Sequence, residues 1–596
     1  MQKVSPYNCI FDIFNNILNH ICQRMANYDE KEFQERSDFI EDNDLESWNV
    51  SNSHFDYIQQ KLLGVGAKLF AGPRGTGKTH QMKIAHLKCL HDQAKPLSIF
   101  VSFSKYYHLE PFLTKVPNAQ QVFHTWVLAK IVLGCYSVIS ELPDNPKFVN
   151  FEKANMLPEI ISEYVEKAEK LKAAQLNNDP LISVLTISKT ISLIESIAQY
   201  YKRKRVVLML DDAALTLTPE YLIEFFDIVR SLKTKVISPK ASVYPGTTQY
   251  GPRFHIGQDA EMVQCWLSVE TPTYSEFMDS LIKQRFLQYT QTVNSEIIEL
   301  FKYASFGVPR AFISLLRNFT NNKNDKSIFA RFNSAIAQQA RFIETEYLSI
   351  AQKLVQYKKV IETGFRFFIK ITDEIKSDNQ ALVQEKNITI GISSESIVNT
   401  KLAERMFRFL IEAGLLYEDA PVKHGVQKEN AAKREYKRFI PHVLFLIQNR
   451  TFSEGRSSSF SDSLNNLALK SRKHPLRRSI SNLLTSSEIG GLALDLPPCS
   501  VCNTPRLNAE QKFCHTCGNK LVNQSAFEHC MQISLADIPI TEWQKERLEG
   551  INLKTVGDVM SLQQPGTELR KIRQIGKVRS QKIYDEVLRT VEEFLA

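Results

Sequence analysis

The chain has 596 residues, of which 43% are hydrophobic and 23% charged, and it carries a formal net charge of +9. The length predicts about four domains, the composition excludes a fibrous or wholly disordered protein, and ten cysteines are too few for a disulfide scaffold. The modest positive charge permits a polyanionic partner without requiring one.

The first 55 residues read as a polar helical segment, because apolar residues recur there at helical spacing. They lack the pattern of a signal peptide. The most apolar stretch of the chain, residues 127–139, contains Lys130 and is too short to cross a bilayer. We therefore expect no membrane contact and a reducing, cytoplasmic compartment, with the protein at the nucleoid if it binds DNA.

Residues 56–270 alternate short apolar runs with helical patterns, which is typical of the α/β class, a parallel sheet covered by helices. Residues 119–202 read as an unusually long helical insertion, and residues 271–345 read as helices without strands. The strand-like runs begin at Lys68, Leu97, Val206, Ala241 and Cys265.

A phosphate-binding pattern, G-x-x-x-x-G-K-[ST], follows the first strand. Its glycines let backbone N–H groups converge on phosphates, and the next helix adds its positive end. Lys78 is placed to reach the β- and γ-phosphates, and Thr79 to offer a hydroxyl to Mg²⁺. We therefore predict an ATP and Mg²⁺ site. Its residues are Gly72, Pro73, Arg74, Gly75, Thr76, Gly77, Lys78 and Thr79.

Two carboxylates end the apolar strand that begins at Val206. Asp211 at the strand tip is predicted to join the Mg²⁺ shell, and Asp212 to orient or polarise the attacking water. An ordinary Asp-capped turn is the alternative reading of this pair. Its position after the phosphate loop favours the catalytic reading.

Further polar residues follow in the same region. Thr247 and Thr248 come after the strand that begins at Ala241, and Arg253 lies in a Gly-Pro-Arg loop. Residues 306–310, Phe-Gly-Val-Pro-Arg, open a helix in the all-helical segment and end on Arg310. With these residues the chain resembles the AAA+ ATPases, and within them the ORC/Cdc6-like branch, over about residues 55–450.

The resemblance implies roles for several residues. Residues 72–79 and the Asp211–Asp212 pair correspond to Walker A and Walker B, and Thr247 or Thr248 to sensor 1. Arg310 corresponds to sensor 2, which reaches the nucleotide from a helical lid, residues 271–345. Arg253 is a candidate arginine finger for a neighbouring subunit, which implies a homo-oligomer or a partner ATPase. Arg310 as a lid surface charge and Arg253 as a plain loop charge are the alternatives.

One feature departs from the family pattern. The family usually carries Asp-Glu at Walker B, whereas this chain has Asp-Asp at residues 211–212. The shorter carboxylate predicts slow hydrolysis or a base supplied elsewhere. STAND-type signalling ATPases often carry Asp-Asp there, so this class stays open.

Residues 387–440 resemble a winged helix, and the domain that contains them is predicted over residues 346–450. The recognition helix is predicted over residues 401–413, with Lys401, Arg405 and Arg408 on one face. The wing carries Lys433 and Arg434. Such residues contact mostly DNA phosphates, which gives salt-sensitive binding. A solvated helical face and a charged loop are the alternatives.

The C-terminal quarter divides at a composition change. Residues 451–497 are rich in serine and basic residues, and we predict a flexible linker. Residues 498–520 hold two C-x-x-C pairs separated by eleven residues, which predicts a closed, structural Cys₄ zinc ribbon. For this zinc ribbon, docking of another protein is the alternative to contact with DNA. The predicted ligands are Cys499, Cys502, Cys514 and Cys517.

The tail, residues 533–596, resembles helix-hairpin-helix domains. In its second hairpin Gly576 is predicted to let backbone amides approach a DNA phosphate, with Lys577 and Arg579 beside it. A helical protein-interaction domain is the alternative. The chain as a whole reads as a multi-domain ATPase that binds duplex or branched DNA under ATP control. A STAND-like switch whose C-terminal modules bind protein is the competing reading.

Overall fold

A computed structural model describes most of the chain. The described residues are 33–34, 40–103, 106–109, 118–143, 156–169, 176, 178–212, 218–246, 248–321, 327–382, 386–424, 434–452, 459–468, 475–508, 511, 513–519, 521, 530–562 and 564–595. The prediction for residues 1–55 falls in part outside this set. Two N-terminal helices are described, α1 (Asp42–Ser47) and α2 (Ser53–Leu63).

Five parallel strands form the core sheet, in the order β2-β3-β4-β1-β5. The α/β prediction with a parallel sheet is confirmed. The strands are β1 (Lys68–Ala71), β2 (Leu97–Ser102), β3 (Val206–Asp211), β4 (Ile237–Val243) and β5 (Glu261–Gln264).

The last two strands begin earlier than their apolar patterns predict. β4 contains Pro239 and Lys240, which break the apolar run, yet Lys240 is fully buried. Its ammonium group reaches the backbone and donates to the carbonyl of Gly64 at 2.7 Å. β5 ends before Cys265, where the prediction had started it. Pairing with β1 therefore decided both boundaries.

The strand order positions the candidate site. β4 lies between β1, which leads into the phosphate loop, and β3, which ends on the acidic pair. Neighbouring strands are about 4.8 Å apart, so the loop and the acidic tip are separated by about 10 Å. That space at the carboxyl edge of the sheet is where α/β proteins bind ligands.

Six helices are described in the α/β core. α4 is long and apolar enough to cross a membrane by length and composition, but most of it is buried within the protein. It packs on β2 through Gly134, where a side chain would collide with Val101. The helices are α3 (Lys78–His91), α4 (Ala119–Glu141), α5 (Pro158–Glu169), α6 (Leu181–Val184), α7 (Ile187–Tyr200) and α8 (Pro219–Leu232).

Helices alone make up the described part of residues 271–345, as predicted. They share one continuous hydrophobic core with β1, α2 and α3. The helices of this predicted lid are α9 (Tyr274–Arg285), α10 (Ser295–Ala304), α11 (Pro309–Asn321) and α12 (Ile328–Lys353), of which the last continues beyond residue 345.

The element order of the predicted winged-helix domain agrees with the sequence pattern: a helix, a strand, two helices and a hairpin. The helix predicted to be the recognition helix begins at Ala403 rather than at Lys401, because Leu402 adopts a left-handed conformation (φ +59°). The elements are α13 (Lys358–Ala381), β6 (Ile390–Ser393), α14 (Ser394–Asn399), α15 (Ala403–Glu412), β7 (Leu416–His424), β8 (Arg434–Pro441) and α16 (Val443–Gln448).

The flexible-linker prediction for residues 451–497 is corrected by the structure. A short strand, β9 (Leu476–Arg478), pairs in parallel with β6 and extends the domain's sheet to β7-β8-β6-β9. Ile480 and Leu483, which follow it, are buried in the same core as α13. The segment is rich in serine overall, so its composition did not indicate that a few apolar residues such as Ile480 and Leu483 are buried. The described helices are α17 (Phe460–Ala468), α18 (Ile480–Leu483) and α19 (Ser486–Gly490).

The tail is a compact helical unit, and its last helix contacts lid helix α12. Capping boxes at Thr541 and Thr555 start its first two helices. The helices are α20 (Glu542–Glu549), α21 (Val556–Met560), α22 (Pro565–Glu568) and α23 (Lys577–Leu595).

Candidate functional site

The phosphate loop joins β1 to α3 with the backbone geometry that its glycines allow. Gly75 and Gly77 have φ values of +83° and +88°, in the left-handed region that favours glycine. Thr76 donates its hydroxyl to the carbonyl of Pro73 at 3.0 Å, which closes the turn. Helix α3 then begins at Lys78, so its positive end points at the loop.

Lys78 lies inside the loop and is only 7% exposed. Its ammonium nitrogen donates to the carbonyls of Gly72 at 2.6 Å and Pro73 at 3.0 Å. Burial lowers the pKa of Lys78 to about 8, against the opposing effect of negative charge that includes Asp211. A buried ammonium group held at a glycine-rich turn provides a strong site for phosphate.

The acidic tip of β3 faces this loop across β4. Asp211 is 1% exposed and ends the strand. Asp212 follows in a left-handed conformation (φ +52°), and its backbone N–H donates to the Ser242 hydroxyl of β4 at 2.9 Å. Asp211 and Thr79 are the residues that would hold Mg²⁺, since both offer the oxygen ligands that this cation prefers.

Tyr244 occupies the tip of β4, between the loop and the acidic pair, and sequence reasoning missed it. The ammonium nitrogen of Lys78 lies 4.4 Å from the centroid of its ring. The Thr248 hydroxyl accepts a hydrogen bond from the Tyr244 backbone N–H at 3.1 Å. Thr247, the other sensor 1 candidate, lies outside the described residues.

The predicted lid reaches the phosphate loop through Arg310. Its backbone N–H lies 3.5 Å from the carbonyl of Gly75, and a Cβ at Gly75 would collide with the Arg310 side chain. The Arg310 Nε atom is buried and makes no hydrogen bond to any described residue. This arrangement brings the sensor 2 candidate to the loop that it was predicted to serve.

The turn before Arg310 is held from several sides. Gly307 has φ +74°, and its N–H donates to the Tyr274 hydroxyl at 2.9 Å. Trp266 donates its indole N–H to the carbonyl of Phe306 at 2.7 Å. The Phe306 ring packs 4.7 Å from the ring of His442 in the predicted winged-helix domain. The lid turn and that domain are therefore in direct contact.

Arg253 is at the surface of the α/β core. Its side chain is 72% exposed and approaches Asp227 of α8 at 3.7 Å. An exposed guanidinium group of this kind is compatible with a role toward a neighbouring molecule.

The structure corrects the prediction for Arg405. Its guanidinium group points into the protein, donates to the carbonyl of Gly246 at 2.9 Å and lies over the ring of Phe409. Gly246 belongs to the loop after β4, so helix α15 packs at the carboxyl edge of the core sheet. The helical spacing of Lys401, Arg405 and Arg408 does not place them on one exposed basic face, because Lys401 precedes the helix and Arg405 is turned inward.

The other predicted DNA contacts of this domain are at its surface. Lys401 and Arg434 are exposed. Arg408 is half exposed and pairs with Glu404 at 3.3 Å, so a carboxylate partly offsets its charge. Lys433 lies outside the described residues.

The four cysteines of the predicted zinc ribbon converge as two equivalent turns. All four sulfur atoms lie within 4.8 Å of one another, and Cys499–Cys517 and Cys502–Cys514 are each 3.5 Å apart. Zinc–sulfur bonds of about 2.3 Å in a tetrahedron place sulfurs about 3.8 Å apart, which fits this cluster.

Backbone hydrogen bonds close both cysteine turns and favour the thiolate of Cys514. The N–H groups of Asn503 and Gly518 donate to the carbonyls of Cys499 and Cys514, closing the two turns. Backbone N–H groups of Cys517 and Thr516 lower the pKa of Cys514 to about 6, which favours the thiolate.

The second tail hairpin exposes the residues that were predicted to contact DNA. Gly576, Lys577 and Arg579 are all exposed at the start of α23. No heavy atom lies within 4 Å of a Cβ built on Gly576, so the backbone there is open from outside. Arg579 stacks its guanidinium group on Trp543 of α20 at 5.1 Å, which orders this cation at the surface.

No protein-family model and no curated protein matches the chain. Several solved structures overlap it, including the following two. One is the Walker-type ATPase PABY2304 of Pyrococcus abyssi, with 11% identity over 67% of this chain and 95% of that chain, at a TM-score of 0.34. The other is Orc1 of Aeropyrum pernix in complex with DNA, with 11% identity over 67% of this chain and 91% of that chain, at a TM-score of 0.28. Both TM-scores lie below 0.5, so neither likeness assigns a family.

Proposed function

We propose that this chain is an ATPase of the AAA+ class, of ORC/Cdc6-like type, that binds DNA under the control of ATP. The observation that carries the proposal is a convergence at one edge of the parallel sheet. The phosphate loop with Lys78, the acidic tip with Asp211, and Arg310 from the lid meet there, although 232 residues separate the first of these side chains from the last.

The chemistry follows from these groups. Loop N–H groups and Lys78 bind the β- and γ-phosphates, and Thr79 and Asp211 would hold Mg²⁺, which offsets phosphate charge. Asp212 orients a water whose oxygen bonds to the γ-phosphorus, while the bond from that phosphorus to the bridging oxygen breaks and ADP leaves with phosphate. Because aspartate is one methylene shorter than glutamate, we expect slow turnover.

Coupling to the rest of the chain uses the contacts of the lid turn. The γ-phosphate attracts Arg310, which sits beside Gly75. The same turn packs through Phe306 on His442 of the predicted winged-helix domain. Nucleotide state would therefore change the angle of that domain and, with it, the affinity for DNA.

DNA binding would rest on exposed cations that contact phosphates. Lys401 and Arg434 supply them in the predicted winged-helix domain, and Lys577 and Arg579 in the tail. Phosphate contacts give affinity that falls steeply with salt and depends little on sequence. Arg253 is proposed to complete the site of a neighbouring subunit.

The test measures binding of a labelled DNA duplex across a salt series, with and without a non-hydrolysable ATP analogue. We expect ATP-dependent affinity that falls as salt rises. Lys78→Ala should remove nucleotide binding and the nucleotide effect, and Arg579→Glu should weaken binding on all sequences alike. Unchanged ATPase activity in Lys78→Ala would refute the site, and loss of affinity for one sequence only would refute the backbone-contact account.

A nucleotide-controlled signalling or assembly switch is the second candidate. One observation favours it: Arg405 and helix α15 pack against the loop after β4 instead of presenting a free basic face. In that case the predicted winged-helix domain reports nucleotide state and the C-terminal modules bind protein. Salt-insensitive or absent DNA binding, together with a nucleotide-dependent change in particle size, would select the switch.

A further inference from the structure

Tyr244 contacts both the phosphate loop and the residue that follows the acidic strand β3. It follows β4 directly and is 7% exposed. Its ring contacts both cations of the loop, since the Lys78 ammonium lies 4.4 Å and the Arg74 guanidinium carbon 5.5 Å from the centroid. A buried aromatic ring attracts such cations and restricts where they point.

The hydroxyl of the same residue reaches the other half of the site. It donates to a carboxylate oxygen of Asp212 at 3.4 Å. Burial, together with the negative charge of Asp212, raises the pKa of Tyr244, so the phenol keeps its proton and acts as a donor. The Asp212 backbone N–H also donates to the Ser242 hydroxyl at 2.9 Å. Asp212 is therefore held at two points, by Ser242 of β4 and by Tyr244 directly after β4.

These contacts fix Asp212 in a left-handed backbone conformation (φ +52°). That conformation is uncommon for residues other than glycine, although aspartate adopts it more readily than most. Tyr244 is itself held in place, because its backbone N–H donates to Thr248 at 3.1 Å. The threonine that resembled a phosphate contact is thus engaged in orienting the tyrosine.

We infer that Tyr244 is a positioning residue with two separable tasks in ATP hydrolysis. Its ring holds Lys78 and Arg74 in the phosphate loop, and its hydroxyl holds Asp212 where the attacking water is oriented. The inference rests on the proposed ATPase function and extends it to a residue outside the sequence motifs.

The test separates ring from hydroxyl. Tyr244→Phe keeps the ring, so we expect kcat to fall about tenfold while the Kd for ATP stays within about twofold. Tyr244→Leu removes both the ring and the hydroxyl, so the Kd for ATP should also rise by about fivefold. Tyr250→Phe is the matched control, because Tyr250 is a nearby tyrosine that packs on Phe254 outside the site. Thermal unfolding midpoints check that all three variants fold.

The outcomes distinguish the two proposals. Absence of ATP binding in the unaltered chain would refute the proposed function itself. ATP binding and hydrolysis in the unaltered chain, with an unchanged kcat in Tyr244→Phe, would overturn only the inference about Tyr244. Equal losses of kcat and ATP affinity in Tyr244→Phe, with a lowered unfolding midpoint, would assign a merely structural role and overturn it as well.

Discussion

Replacing Gly307 by alanine tests the lid turn that brings Arg310 to the phosphate loop. The residue has φ +74°, and an added Cβ would lie far inside contact distance of the Leu267 carbonyl oxygen. A left-handed backbone at alanine costs about 1–2 kcal/mol. Moving the Leu267 backbone adds a strain of about 1–3 kcal/mol. We therefore expect Gly307→Ala to lower the free energy of unfolding by about 2–5 kcal/mol.

Gly257→Ala is the matched control. Gly257 has a similar φ of +94°, but no heavy atom lies within 4 Å of its Cβ position. It carries the backbone cost alone, about 1–2 kcal/mol. Urea titration followed by tryptophan fluorescence is a suitable assay, because the Trp266 indole donates to the Phe306 carbonyl beside the turn.

The functional consequence separates the two variants further. Gly307→Ala displaces the start of α11 and with it Arg310, so ATP hydrolysis should fall under conditions where the variant is still folded. Gly257→Ala should hydrolyse ATP at the unaltered rate. Equal losses of stability in the two variants, or normal hydrolysis by Gly307→Ala, would refute the close packing of this turn as the reason for its glycine.

Three further outcomes are expected. Cys499→Ser should release one equivalent of zinc and leave ATP hydrolysis unchanged, because a closed Cys₄ site is structural; metal analysis checks this, and full retention of zinc would contradict the ligand set. Arg405→Ala should lower the unfolding midpoint, since it removes a partly buried hydrogen bond to Gly246, without changing the slope of DNA affinity against salt; a slope reduced by about one would mean that Arg405 contacts a phosphate. Burial first, and then the charges of Lys68 and Arg205, lower the pKa of Lys240 to about 7. The unfolded chain therefore binds more protons than the folded one between about pH 7 and 10, and stability should rise with pH there, by about 1.4 kcal/mol per unit of pKa difference. Lys240→Met should make this rise smaller in denaturant titrations, since Lys78, whose pKa burial also lowers, still contributes to it. An undiminished pH dependence would show that other groups account for the whole rise.

The two proposed functions, an ATP-controlled DNA-binding protein and a nucleotide-controlled switch, require opposite placements of the cations on helix α15. As a DNA-reading element it must present cations to solvent, whereas Arg405 is used to fasten the helix to the core at Gly246. The exposed cations of the tail, such as Arg579, carry no such conflict. DNA binding through the tail, with the predicted winged-helix domain reporting nucleotide state, satisfies both observations, and the salt series with Arg579→Glu tests it directly.

Contiguous motifs could be predicted from the sequence because their chemistry is local. The phosphate loop is a single turn whose glycines, Lys78 and Thr79 adjoin one another, and the paired C-x-x-C turns need only a short closing segment. The alternation of apolar runs and helices likewise predicted a parallel sheet, since buried strands are apolar on both faces.

Contacts between distant segments were decided by the tertiary structure alone. Tyr244 has no motif, and it lies in the site only because β4 pairs between β1 and β3. Arg405 has the same helical spacing as an exposed base-reading residue, yet the packing of its helix on Gly246 turns it inward. Leu476–Arg478 became a strand because β6 offered a free edge. In each case the partner lies far away in the chain, and a local pattern holds no information about which partner a side chain will meet.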